Sequence, residues 1–419
     1  MTSFSIWTIT ILSIAGVIFR PFKTPEFIWA VGGAVLLLIF GLITPTESLS
    51  GIAKGMDVYL FLTGMMLLAE TAREEGLFNW LAAHATQRAN GSASRLFALI
   101  YLVGVVVTTF LSNDATAVVL TPAVAAAVKT AKVKNPLPYL FICAFIANAA
   151  SFVLPISNPA NLVIYGTHMP PLTVWLAHYA LPSVVAIVTT YVILHFTQQQ
   201  ALRESVAQDI TIPTLSPGGR LAIIGITATA LILLGASALD KPLGLPTAIT
   251  GILTSALVLI RARKNPWVVI KDVSWAVLPL VAGLFVLVEA LAKTGVIQEL
   301  TTILQTSTAH SVSTTTWLSG IGVAIACNLV NNLPAGLIAG TVVQAGQVPE
   351  AIKSAILIGI DLGPNLSVTG SLATILWLVA LRREGQVVSA WEFLKLGALV
   401  MTIPLLCTLG TIWLYYHYF

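Results

Sequence analysis

Ser112, Asn113 and Asp114 stand together inside the apolar run from Phe110 to Pro122. Serine, asparagine and aspartate are the residues that satisfy the free N–H groups of a starting helix. A carboxylate in so apolar a run is costly unless something uses it. A second polar knot, between Leu154 and Leu162, holds Ser157, Asn158 and Asn161, with Pro159 where a first helical turn tolerates it. The second half of the chain supplies Asn331 and Asn332, then Asp361, Asn365, Ser367, Thr369 and Ser371. Helix starts that face one another would enclose a small cavity rich in N–H donors and amides. Amides and hydroxyls both donate and accept, so this set suits a small neutral polyhydroxy solute. A dicarboxylate would favour an arginine or lysine, and none falls within these knots. Asp114 and Asp361 are therefore candidate proton or cation carriers, and the amides and serines candidate solute contacts. The competing reading is helix capping alone, for Asp114 as for the amides.

Such residues need elements to hold them, and the composition says which. The 419 residues are 57% hydrophobic and only 9% charged, with a mean hydropathy of +0.91. A soluble domain carries about a quarter charged residues. The expected fold class is thus an all-α polytopic membrane protein. The net charge of +4 fits basic cytoplasmic loops and does not indicate a nucleic-acid partner. The start, Met1-Thr-Ser-Phe-Ser, lacks a basic leader, so the first apolar stretch is read as a retained helix.

Ten crossings are expected near 4–19, 26–44, 58–72, 137–167, 172–196, 221–239, 247–260, 273–291, 354–381 and 393–416. The stretches 96–128 and 314–346 read as re-entrant hairpins, and 137–167 and 354–381 as broken helices. With Arg20 and Lys23 in the cytoplasm, this layout places 17 of the 21 basic residues inside. Only Lys54, Lys241, Lys293 and Lys353 fall outside, as the positive-inside rule expects. A single crossing at 96–128 would send Lys129, Lys132 and Lys134 outward. In the hairpin layout both termini lie outside the cytoplasm.

The two halves match. Gly64, Glu70 and Gly76 share one spacing with Gly283, Glu289 and Gly295, at an offset of 219. Ser112-Asn113-Asp114 falls opposite Val330-Asn331-Asn332 at 218, and Pro155–Asn161 opposite Gly363–Ser371. Five crossings per half give the halves opposite orientation, the inverted-repeat plan of secondary transporters. The expected organisation is a first repeat over 1–197, a cytoplasmic linker over 198–220 and a second repeat over 221–419. Asn265–Asp272 reads as a short interfacial helix with Trp267 at headgroup level.

Other polar residues read as structural. Glu70 and Glu289 are expected to snorkel or pair with Arg73 and Lys293. His84, His168, His178, His195, His310 and His417 show no ligand spacing. Cys143, Cys327 and Cys407 lie far apart, without a CxxC pattern or disulfide framework. No metal-ligand set, nucleophile elbow or phosphate loop is visible, and neither cofactor nor enzyme activity is expected.

The segments Phe61–Leu68, Phe110–Ala117 and Phe152–Leu162 resemble the ArsB-type arsenite/antimonite efflux permeases, and Ser157-Asn-Pro-Ala-Asn161 is the most specific part. That family belongs to the ion-transporter superfamily, with bacterial dicarboxylate carriers and sodium/proton antiporters. The resemblance implies proton-coupled export of arsenous and antimonous acid across the inner membrane. It also implies a homodimer with a moving transport domain and, in some organisms, docking of a soluble ArsA-type ATPase. It carries the polar hairpin and break residues over to Asn113, Asp114, Ser157, Asn158, Asn161, Asn331 and Asn332. Arsenous acid is neutral and trihydroxylated near neutral pH, which suits the amide set. A trithiolate trap would hold its cargo rather than release it. Cys143 and Cys327 are left as transient contacts only. The family is often drawn with twelve crossings and cytoplasmic termini; the charge map favours ten plus two hairpins.

Overall fold

The computed structural model describes residues 2–166, 169–207 and 212–418. His168 and part of the expected linker lie outside these. Among the described residues there is no strand, only an isolated antiparallel bridge between Ser92 and Ser205. The first half comprises α1 (Thr2–Phe19), α2 (Glu26–Ile39), α3 (Pro45–Lys54), α4 (Met56–Glu74), α5 (Leu77–Arg88), α6 (Ala93–Leu111) and α7 (Asn113–Ala115). It continues with α8 (Thr121–Thr130), α9 (Leu137–Ala149), α10 (Pro159–Tyr165) and α11 (Leu172–Thr197). The second half comprises α12 (Pro217–Ala238), α13 (Gly244–Ala262), α14 (Trp267–Ile270), α15 (Val277–Ala292), α16 (Val296–His310) and α17 (Val312–Val330). It ends with α18 (Asn332–Gly346), α19 (Glu350–Leu362), α20 (Leu372–Arg383) and α21 (Ala390–Tyr418).

Among the described residues, seven helices are long and apolar enough to span a bilayer, or nine if two bent pairs each count as a span. That is fewer than ten because several expected crossings are interrupted. Helix α9 stops after 13 residues and α10 runs for only 7. Conversely, α6 and α17, the leading arms of the expected hairpins, are themselves among the seven. At 19 residues each, they extend about 28 Å.

Both stretches nevertheless turn back. The Val206 N–H donates to Gly91 O before α6, and the Ala207 N–H donates to Ala131 O after α8. One short segment thus ties the entry and exit of the first hairpin. Helix α5 packs on both of its arms. In the second half α16 packs on both α17 and α18, and the Gln305 amide donates to Gly346 O at the end of α18.

The repeat is visible in the backbone. Each bound of α17 lies 219 residues after the matching bound of α6. Gly76 and Gly295, before α5 and α16, have φ of 77° and 84°, the left-handed region that glycine enters freely. The sequence missed α5 and α16 as separate helices, although these two glycines announce them. The hairpin kinks are Ser112 (φ 111°, ψ 163°) and Asn331 (φ 72°, ψ 152°). Their separation of 219, not 218, corrects the register by one residue. Asn113 therefore matches Asn332, and Asp114 matches Leu333.

Packing divides the helices into two groups. In the first, α4 lies on α13, α15 on α2 and α3, α12 on α13, and α1 on α2. In the second, α9 lies on α6, α10 on α18 and α19, α17 on α19, and α11 on α21. Close approach in the first group depends on glycine. A Cβ on Gly64 would come within 2.1 Å of Thr247 O, and one on Gly251 within 2.4 Å of Gly64 O.

Candidate functional site

Each hairpin tip is stitched to the broken helix of its own half. The Ser157 hydroxyl donates to Thr109 O (2.9 Å) and accepts from the Leu154 N–H (3.2 Å). In the second half the Asn331 amide donates to Thr369 O (3.1 Å), and the Asn332 N–H to Gly370 O (2.8 Å). These bonds satisfy backbone groups that would otherwise be stranded in an apolar interior. Pro155 and Pro159 enforce the first break, because neither can donate to a continuous helix.

The two broken helices also hold each other. The Asn158 amide donates to Asp361 Oδ1 at 2.6 Å, while its own oxygen caps the Ala160 N–H at 3.0 Å. The Asn148 amide donates to Asn365 Oδ1 at 2.9 Å, and Asn365 donates to Phe145 O at 3.3 Å. Asn148 was missed in the sequence; a lone amide in an apolar helix was the available signal. Asp361 is buried, and the Asn158 amide reaches its Oδ1.

At the centre the side chains converge on a cavity of about 10 Å³, room for roughly one water. Asn113, Asp114, Asn158 and Asn332 line it with Pro159, Leu333, Leu372 and Ala373. Leu62 of α4 and Val277 of α15 close it from the first helix group. No lysine or arginine lines it. Asn332 Oδ1 is buried without a partner, and Asn113 Oδ1 accepts from the Asp114 N–H at 2.9 Å.

Asp114 also faces a second cavity of about 50 Å³, shared with Ser112, Met65, Met66, Glu70, Asp272 and Ser274. Both cavities thus meet at Asp114.

Other expected contacts are already engaged. The Asn161 amide donates to Ser151 O at 2.9 Å and reaches Leu154 O and Pro155 O, clamping the break. Asn331 Oδ1 caps the Leu333 N–H. Ser367 donates to Asn328, and Ser371 caps α20 through the Thr374 N–H. Ser112 Oγ accepts from the Ala115 N–H at 3.4 Å.

Cys143 and Cys327 are buried and Cys407 is exposed. Among the described residues no three metal-ligating side chains cluster. Glu70 pairs with Arg73 as expected, but Glu289 pairs with Lys54 (2.6 Å) and Lys293 with Glu47 (2.9 Å). Lys54 and Glu47 lie more than 230 residues away in sequence, out of reach of a local pairing rule.

Interrupted helices around a small polar cavity, in an all-helical membrane chain, define a membrane transporter. The family model described as citrate transporter (CitMHS) matches residues 14–360. The chain belongs to that family, within the ion-transporter superfamily. It is 27% identical over 427 residues to an arsenical pump membrane protein of Escherichia coli, covering 95% of each chain. It is 24% identical to an uncharacterized transporter of Mycobacterium tuberculosis, over 99% of each. Its fold is similar to the YdaH transporter of Alcanivorax borkumensis, with a TM-score of 0.60, 14% identity and 89% and 88% of the chains covered. It is also similar to MtrF of Neisseria gonorrhoeae, with a TM-score of 0.56, 11% identity and 99% and 94% covered.

Proposed function

We propose that this protein exports arsenite and antimonite, as neutral trihydroxy acids, in exchange for protons. The observation that carries this reading is the central cavity: amides and a carboxylate, with no lysine or arginine in its lining. The arsenical pump relatives support the substrate class. A citrate-like anion would leave its charges unpaired there, at a cost of several kcal/mol.

Asn113, Asn158 and Asn332 contact the solute, with Ser112 at the threshold; Ser157, Asn161 and Asn331 hold the frame around it. Asp114 carries the proton, and Asp361, tied to Asn158, senses or shares it. The division is a repeat over 1–197, a linker over 198–220 and a repeat over 221–419. The second helix group moves against the first, and the cavity between them opens to either side in turn. The resemblance to the arsenite permeases adds a homodimer in the inner membrane and, in some organisms, a soluble ArsA-type ATPase; the charge map favours both termini outside. Ion pairs between distant segments support the grouping of the loops by face. Lys54–Glu289 and Lys293–Glu47 join outer residues, whereas Arg73–Asp272, Lys264–Glu74 and Lys134–Glu204 join cytoplasmic ones.

The test is solute specificity in everted vesicles. Arsenite uptake should follow an imposed pH gradient, and neither sodium nor citrate should replace it. Sodium-dependent proton flux without arsenite would favour a sodium/proton antiporter, and citrate uptake a carboxylate transporter.

A further inference from the structure

The larger cavity has a mouth. The exposed Asp272 marks its mouth, and the buried Glu70 and Ser112 line it with Asp114 and Ser274. No cation lines it, yet one stands beside it. The Arg73 guanidinium is bound by Glu70 on the same helix and by Asp272 at 2.8 Å from the connector before α15. Asp272 and Arg73 are both partly exposed, with side-chain exposures of 45% and 37%. Such an exposed pair contributes little to stability. Its consequence is electrostatic. Two carboxylates that line the cavity, Glu70 and Asp272, occupy the guanidinium. Charges gathered at the entrance of a cleft bias which ions enter it, most strongly at low ionic strength.

We infer that the Arg73–Asp272 bridge is a specificity device: Asp272 sequesters Arg73, so the vestibule presents net negative charge and rejects anions while neutral solutes pass. This rests on the reading of the central site as one for a neutral solute. Removing Asp272 frees one guanidinium face toward the vestibule, while Glu70 alone remains on the other.

The test does not require transport. Val118 lines the same vestibule, so Val118→Cys in a Cys407→Ser background places a thiol inside it. Everted vesicles are labelled with two maleimides of similar size, one neutral and one bearing a sulfonate. With Arg73 and Asp272 intact, the neutral reagent should react at least tenfold faster. Asp272→Asn should shrink that preference at least fivefold. Arg73→Gln with Asp272→Asn should restore it, which separates a freed guanidinium from a loosened fold. An unchanged preference in Asp272→Asn, or no recovery in the double variant, would overturn the inference. If labelling behaves as expected while the unsubstituted protein moves no arsenite, the substrate reading fails and the charge filter stands.

Discussion

Asn158 has two tasks that a substitution would separate. It caps α10 through its oxygen and holds Asp361 through its amide, 2.6 Å away. Asn158→Ala leaves a buried carboxylate without that donor, at a cost of about 1–3 kcal/mol. The expected outcome is at least a tenfold loss of arsenite efflux with a lowered melting temperature, read in vesicles and by thermal unfolding in detergent. Asn158→Asp should fare no better, since it sets two carboxylates together. The cysteines should behave oppositely. Cys143 and Cys327 are buried and Cys407 is exposed, and among the described residues no three metal-ligating side chains cluster. Replacing all three with serine or alanine should leave arsenite resistance within about twofold in a well-expressed strain; loss of resistance would bring thiol chemistry back.

The hairpin kinks hold non-glycine residues in a region of φ/ψ that is essentially reserved for glycine. Such strain costs of order 1–3 kcal/mol and persists where surrounding bonds over-determine it. Ser112→Gly removes the Cβ conflict and sacrifices only the weak 3.4 Å cap. It should raise the melting temperature or leave it unchanged while slowing transport; a stability loss of more than about 1 kcal/mol would argue against strain. The glycine seam between α4 and α13 has no such slack. Gly64→Val drives its Cβ into the Thr247 carbonyl and should destabilise the first helix group by about 1–3 kcal/mol, read as loss of folded protein in detergent. Much of this was legible in advance. Serine, asparagine and proline in apolar runs marked the breaks, and the Gly-Glu-Gly spacing marked the repeat. The kink register was not, because only backbone torsion distinguishes Ser112 from its neighbours as the turning residue. Nor were the partners of Glu289 and Asn148, which are tertiary contacts spanning more than 200 residues.

The two helix groups meet at the central cavity, where Leu62 and Val277 of one face the polar lining of the other. Lysine and arginine counts alone predict a face of the membrane for each loop. They could not show which carboxylate lies where both cavities meet. That position belongs to Asp114, whose repeat partner is Leu333, so the two halves are chemically unequal at the point where a proton would act. If Asp114 couples the proton to the solute, Asp114→Asn should uncouple the cycle without blocking the passage. The direct measurement compares two arsenite fluxes through Asp114→Asn protein in proteoliposomes: accumulation driven by an imposed pH gradient, and exchange of labelled for unlabelled arsenite at equal pH. Accumulation should fall to background while exchange continues within about threefold of the unsubstituted protein. Accumulation that persists at more than half its original level would contradict Asp114 as the proton carrier.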